Sequence, residues 1–119
     1  MNATQKSELI MLRLISEARS LGALESRERF LADSVKQIEA TSNRLANEAD
    51  RLGKLNRPGR DVAERTVYRG HLRILREEAR DNALFRRSCM EEARTIKREM
   101  VEAQSTIRAL TEKLLSRLH

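Results

Sequence analysis

The chain has 119 residues, which is one domain at most, and 35% of them are charged while only 3% are aromatic. Aromatic side chains usually supply much of a globular core, so this composition excludes a large core and favours long helices, since Arg, Glu, Ala and Leu are good helix formers. The lack of an apolar run of ~18 residues, the polar N-terminal segment and the single cysteine predict a cytoplasmic protein with no membrane insertion.

A first helix is predicted over residues 4–53. When Ile10 is assigned to heptad position d, ten of the thirteen a and d positions up to Leu52 are apolar, and the register does not slip. Such a sustained stripe is typical of a coiled coil. The three polar exceptions are Glu17, Glu28 and Ser42. The seam residues of this helix are Leu14, Leu21, Leu24, Leu31, Val35, Ile38, Leu45 and Leu52.

A bend is predicted over residues 54–60, within the segment GKLNRPGRD. Gly53 follows the last apolar seam residue, where a left-handed residue would end a helix. Pro58 cannot continue a helix, and Gly59 gives the turn a permissive backbone. Asp61 is a suitable N-cap for the next helix, with Glu64 completing a capping-box pattern.

A second helix is predicted over residues 61–118, again with a heptad stripe. Counting from Arg65 as position a, twelve of sixteen a and d positions are apolar, and the polar exceptions are Arg65, Asn82, Arg86 and Arg117. The seam residues of this helix are Tyr68, Leu72, Leu75, Ala79, Cys89, Ala93, Ile96, Met100, Ala103, Ile107, Leu110 and Leu114.

These elements predict an all-α fold in which two long helices form an antiparallel coiled-coil hairpin, because a short loop makes long helices antiparallel neighbours. Folding about the bend pairs Leu45 with Leu72, Ile38 with Ala79, Leu24 with Ala93, and Ile10 with Ile107. Glu28 and Arg86 then lie within a turn of each other. They either form a charged contact that sets the register or both extend into water.

The charge is concentrated in the second half. Up to Gly53 there are eight basic and eight acidic residues, so the whole net charge of +6 lies after it. The spacing of Arg65, Arg69, Arg73, Arg76 and Arg80 places them on one side of the helix, and Lys54, Arg57 and Arg60 extend the patch across the bend. We call these eight residues the basic stripe. It is either a docking surface for an acidic protein, nucleic acid or membrane surface, or a solvated face paired locally with Glu64, Glu77, Glu78 and Asp81.

No residue pattern predicts catalysis, a metal site or a cofactor. The two histidines, His71 and His119, have no other ligand at metal spacing. Cys89 occupies a d position, which predicts a buried structural thiol. The adjacent pairs Glu77–Glu78 and Glu91–Glu92 point to different sides of a helix, so neither is an acid/base dyad. We expect a protein that is not an enzyme.

The second half resembles the small stalk proteins of bacterial type III export, the FliJ and YscO family. The resemblance is carried by Tyr68, Leu72 and Leu75 in VYRGHLRIL, by EEARTIKREMVEAQ, and by RALTEKLLSRL with its Glu-Lys-Leu element. The resemblance implies a mechanical role in flagellar or virulence export. The end that holds both termini, about residues 4–20 and 100–118, would insert into a hexameric export ATPase. Tyr68, Leu72, Leu75 and the region up to Arg80 would face the membrane export gate, and secretion chaperones are further partners of this kind of protein.

Two other functions remain open from the sequence. A basic helical bundle that binds nucleic acid through the basic stripe, as small regulatory proteins do, predicts a steep loss of affinity with salt. A coiled-coil chaperone or scaffold with an unrelated partner makes no such prediction.

Overall fold

The computed structural model describes residues 1–55 and 61–118, and within them the predicted all-α fold is confirmed. Two long helices, α1 (Ala3–Leu55) and α2 (Val62–Leu118), form a helical hairpin, and the described residues contain no strand. The bend residues Arg57, Pro58, Gly59 and Arg60 lie outside the described residues, as does His119.

α1 begins one residue earlier than predicted because Asn2 caps it. The Gln5 backbone N–H donates to Asn2 Oδ1 at 2.8 Å, and the Asn2 N–H donates to Gln5 Oε1 at 3.0 Å. This reciprocal pair is a capping box with Asn and Gln in the two roles. It was visible in the sequence as Asn-x-x-Gln and was missed.

The prediction that Gly53 ends the first helix is wrong, because α1 continues through Gly53 to Leu55. A helical glycine costs only about 1 kcal/mol relative to alanine, so it weakens a helix without having to end it. Lys54 is therefore helical, and its ammonium lies 3.1 Å from the Asp50 carboxylate one turn earlier. Such a pair supports the last turn of the helix.

The predicted start of the second helix is confirmed at Asp61. Its side-chain Oδ1 accepts the Glu64 backbone N–H at 2.8 Å, and its carbonyl accepts the Arg65 N–H at 3.2 Å. An N-cap carboxylate satisfies a backbone donor that the first turn leaves unpaired.

The hairpin contains two compact units. The terminal unit comprises Met1–Leu31 and Glu92–His119, and the bend unit comprises Ala32–Glu91. All nine buried residues of the described chain are predicted d positions. In the terminal unit they are Ile10, Leu31, Ile96, Ala103 and Leu110, and in the bend unit Ile38, Leu45, Leu75 and Cys89. The predicted burial of the Cys89 thiol is thus confirmed.

Most of the remaining seam residues are half-buried, as their place beside the core predicts. These residues are Leu14, Leu21, Leu24, Val35, Leu52, Tyr68, Leu72, Ala93, Met100, Ile107 and Leu114. Ala79 is exposed, so its assignment to the covered seam is wrong. Its methyl group shares a groove with the small side chains of Ser42 and Ala46, and none of these is large enough to close that groove.

The predicted pairing of Ile38 with Ala79 is also wrong. The Asn82 amide nitrogen donates to the Ile38 carbonyl at 2.9 Å and to Ser42 Oγ at 2.6 Å. Asn82 lies three residues beyond Ala79, so α2 in this unit is displaced by nearly one turn. The displaced register brings together two polar exceptions of the stripes, which leaves the seam amide hydrogen-bonded instead of buried without a partner.

The hypothesised contact between Glu28 and Arg86 is replaced by another pair. Arg86 is exposed, and its Nη2 lies 3.3 Å from Glu39 Oε1 on α1. The side chain leaves the seam toward water and binds a carboxylate at the edge, as long cationic side chains commonly do.

Candidate docking surfaces

The described part of the basic stripe is fully exposed. Arg65, Arg69, Arg73, Arg76 and Arg80 lie on the outside of α2 in the bend unit. At 3.6 residues per turn the five positions fall within an arc of about 80°. Lys54 is exposed as well, while Arg57 and Arg60 lie outside the described residues. The five arginines therefore form a continuous basic surface on one side of α2.

The ion pairs that Glu77, Glu78 and Asp81 could form with this surface are absent from the described part of the chain. Within residues 1–55 and 61–118, none of the five arginines makes a salt bridge, and neither do Glu77, Glu78 and Asp81 between them. Among the described residues of the stripe, Lys54 alone is paired, with Asp50. The field of five guanidinium groups is consequently open to an anionic partner.

The residues expected to face an export gate are partly used by the fold. Leu75 is buried, whereas Tyr68 and Leu72 are half-buried beside it. Tyr68 and Leu72 line a groove of about 400 Å³ together with Ala46, Ala49 and Arg76. The groove exists because α1 places small side chains here, and Arg76 joins it to the basic stripe.

The terminal unit exposes a cluster of large apolar side chains that the sequence analysis did not single out. Their exposed fractions run from 46% for Ile15 to 71% for Leu118. We call this set the apolar end, and its members are Leu9, Met11, Leu12, Ile15, Leu115 and Leu118. Met11, Leu12, Leu114 and Leu118 also line a groove of about 600 Å³. An exposed apolar cluster of this kind marks an interaction surface.

The signal for the apolar end is present in the sequence as LIMLRLI, residues 9–15. Six of these seven residues are apolar, but the a and d positions of one seam account for only Ile10 and Leu14. The remaining four must point away from the partner helix, because successive helical residues are about 100° apart.

A charged cluster joins the two helices of the terminal unit. Arg27 Nε donates to Glu92 Oε1 at 2.8 Å, and Arg27 Nη2 donates to Glu92 Oε2 at 3.1 Å. The hydrogen bond from Arg27, followed by its positive charge, lowers the pKa of Glu92 from the ordinary value of 4.5. The Arg27 guanidinium also lies 4.9 Å from the centroid of the Phe30 ring. This cluster is a cross-helix clamp.

The described side chains form no recognisable reaction centre. His71 is exposed, and its Nε2 lies 3.9 Å from Glu48 Oε1. Among residues 1–55 and 61–118, no group of three His, Cys, Asp or Glu side chains is placed to hold a metal ion. Neither helix, over its described length, is long and apolar enough to cross a membrane.

No protein-family model matches the chain, and no curated protein or solved structure shows significant similarity to it.

Proposed function

We propose that this protein is a non-catalytic docking hairpin, and specifically a coiled-coil stalk that couples a type III export ATPase hexamer to the export gate. The observation that carries the proposal is that the two units bear different surfaces: the terminal unit bears the apolar end, and the bend unit bears the five arginines from Arg65 to Arg80, which make no salt bridge with described residues. The FliJ and YscO resemblance supplies the identity of the partners.

The apolar end supports contact with the ATPase. Leu9 and Leu12 point away from the seam residue Ile10 and are 50% and 63% exposed. Covering such side chains with a partner is favourable at about 25 cal/mol per Å² of apolar surface. The resemblance places the two chain termini inside the ATPase ring, and both ends of the described chain belong to this unit.

The basic stripe supports contact with an acidic partner at the gate. Five unpaired arginines attract carboxylates and bind them through two parallel hydrogen bonds. Because Leu75 is buried and Leu72 is half-buried, we assign the gate contact to Arg69, Arg73 and Arg76 more than to the leucines. This role places the protein in the cytoplasm beside a membrane apparatus, with secretion chaperones as further partners and without catalytic chemistry of its own.

The test is the rate of ATP hydrolysis by the type III export ATPase from the same source, with and without this protein, together with the ATPase's sedimentation as a hexamer. We expect stimulation of hydrolysis and hexamer formation. The double substitution Leu9→Gln and Leu12→Gln should remove both effects, because it removes apolar side chains that would contact the ATPase. The fold should be preserved, because neither side chain is buried in the hairpin.

A matched control for this test is the double substitution Val67→Gln and Leu84→Gln in the bend unit. These residues are 72% and 54% exposed, so the loss of apolar surface is comparable. The control should stimulate like the wild-type chain. An ATPase that neither associates with the wild-type protein nor changes its rate would overturn the stalk proposal.

The five arginines from Arg65 to Arg80, which make no salt bridge with described residues, also favour a second candidate, a helical protein that binds nucleic acid. If the protein contacted six or more phosphates, its affinity would fall by several decades as the salt concentration rises from low to moderate, because counterions are released on binding. Titration of a duplex and a single strand across a salt series distinguishes this function from the stalk. A coiled-coil scaffold or chaperone would show neither the salt dependence nor ATPase stimulation.

A further inference from the structure

A second helix-packing stripe runs along α1 in the terminal unit, apart from the seam. Met11, Ile15, Ala18 and Gly22 recur every three or four residues and are all exposed. At 100° per residue they lie 80–140° from Ile10, whereas Leu14 and Leu21 lie within about 40° of it. Apart from Gly22 itself, its chain neighbours and the nearby backbone of its own helix, no heavy atom lies within 4 Å of the position that a Cβ on Gly22 would take. The narrow end of this stripe is open to close approach by another helix.

Acidic residues bracket the α1 stripe. Glu8 and Glu25 continue the same spacing at its two ends. The positions at this spacing from Thr4 to Glu25, which we call the α1 row, contain no basic residue. Both carboxylates are exposed, and neither makes a salt bridge within residues 1–55 and 61–118. The α1 row is thus apolar in its centre and negative at its ends.

The neighbouring row on α2 has the opposite charge. The α2 row consists of the positions between 94 and 118 that follow the same spacing. It includes Arg94, Lys97 and Arg108 and no acidic residue. Its large apolar members are Val101, Leu115 and Leu118. All six are exposed, and the three cations make no salt bridge with described residues. Met11 and Glu8 of the α1 row line one groove with Leu118 of the α2 row. The two rows therefore share one face of the terminal unit.

The geometry points to a second copy of this chain as the occupant of that face, and we propose that two copies associate there about a two-fold axis parallel to the helices. This axis lays the α1 row of one copy against the α2 row of the other, antiparallel and at the same level. The acidic row then meets the basic row in both halves of the interface. A perpendicular axis would place the α1 rows against each other and bring like charges together.

The levels of the individual residues support this pairing. The Arg27–Glu92 contact shows which parts of α1 and α2 lie side by side, and it sets Glu25 level with Arg94 and Lys97. The same offset sets Ala18 level with Val101 and Gly22 about one turn away from it, so the small residues of one copy leave room for the apolar side chain of the other. Toward the termini, Met11 and Ile15 lie level with Arg108 and its neighbours.

The area of the face fits a modest dimer. The α1 row from Thr4 to Glu25 is about 32 Å long at 1.5 Å per residue, and two helices side by side are about 20 Å wide. Each copy thus offers about 600 Å², somewhat below the ~800 Å² per partner of a standard stable interface. We expect association at micromolar concentrations. The terminal units of the two copies would together form one four-helix bundle in which neighbouring helices are antiparallel.

The dimer goes beyond the proposed function and does not depend on it. It places Met11 and Leu118 of the apolar end in an interface between copies, so the second copy and an inserted ATPase would exclude each other. Sedimentation of the protein alone tests the dimer, whereas ATP hydrolysis tests the stalk, and either result stands without the other.

The experiment is sedimentation velocity of the full chain from 1 to 200 µM, with Ala18→Arg as the disrupting variant. An arginine at the centre of the α1 row would face the basic row of the other copy, and we expect at least a tenfold weaker association. The matched control is Ala23→Arg, an exposed alanine on the opposite face of α1. It should dimerise like the wild-type chain. Helicity and melting temperature of both variants verify folding.

A charge exchange provides a second, independent arm. Glu25→Lys and Lys97→Glu should each weaken the dimer several-fold, and the double variant should restore it, because each new lysine again faces a new glutamate of the other copy. A wild-type chain that remains monomeric at 200 µM would overturn the proposal. Equal association of the Ala18→Arg and Ala23→Arg variants, or a double exchange weaker than both single variants, would overturn it as well.

Discussion

Arg27 on α1 and Glu92 on α2 form a two-bond ion pair across the terminal unit, with Nε 2.8 Å from Oε1 and Nη2 3.1 Å from Oε2. Neither residue occupies the apolar seam, yet their contact shows which residues of α1 and α2 lie side by side in this unit. It also makes the stability of the hairpin depend on pH.

The first prediction concerns that pH dependence. Because Arg27 lowers the pKa of Glu92 in the folded chain, the pair stabilises the fold at pH values above the ordinary glutamate value of 4.5. The stabilisation is lost as the pH falls through the lowered, folded-state value. The difference in unfolding free energy between wild type and Glu92→Gln should be constant from pH 7 to about 6 and shrink toward pH 3. Urea unfolding followed by circular dichroism measures it.

The control for Glu92 is Glu102→Gln, an exposed carboxylate of the same helix with no ion pair among the described residues. An equal pH dependence in the two variants would mean that the Arg27–Glu92 pair does not persist in solution.

The second prediction concerns the amide in the seam. Asn82→Ala removes two hydrogen bonds, to the Ile38 carbonyl and to Ser42 Oγ. We expect a loss of about 1–2 kcal/mol in the free energy of unfolding. Asn43→Ala, at an exposed position of the same unit, makes the same change in helix propensity without those bonds. If both variants have equal stability, Asn82 does not set the register.

The third prediction distinguishes a helical Gly53 from a helix-ending one. A Cβ at Gly53 would lie 3.9 Å from the Tyr68 hydroxyl, an ordinary contact distance, and the backbone is helical. Gly53→Ala should therefore stabilise the chain by about 0.5–1 kcal/mol. Thermal unfolding measures this as a rise of a few degrees. A destabilised variant would instead indicate that Gly53 adopts a left-handed conformation in solution.

The fourth prediction concerns the basic stripe. Replacing Arg69, Arg73 and Arg76 together with Glu should leave helicity and melting nearly unchanged, because none of them makes a salt bridge with a described residue. Binding to the acidic partner, measured by calorimetry or pull-down with the purified gate protein, should be abolished. The charge reversal should lower both the association rate and the affinity, because the arginines no longer attract the acidic partner.

The control for the basic stripe makes the same change in net charge elsewhere in the bend unit. Lys36, Arg44 and Arg51 are exposed on α1, and their joint replacement with Glu should preserve most of the binding. Survival of binding in the stripe variant would show that the arginines form a solvated face. Equal losses in both variants would assign binding to net charge alone.

The sequence by itself determined the features that depend on local chemistry and on a repeating period. The heptad count placed every buried residue of the described chain, from Ile10 to Leu110, at a d position, because a helix returns each third or fourth side chain to the same face. The N-cap at Asp61 followed from its own side chain and the next three residues. Neither feature requires knowledge of the partner helix.

Only the tertiary structure decided how the two helices meet. A heptad stripe packs almost equally well after a shift of one turn, so the apolar pattern did not distinguish Ala79 from Asn82 as the neighbour of Ile38. The half-buried Asn82 amide did, since it requires acceptors and finds them on Ile38 and Ser42. The same contacts decided which surfaces stay open. Once one face of each helix is used in the seam, Met11 on α1, Leu118 on α2 and the five arginines from Arg65 to Arg80 remain at the surface.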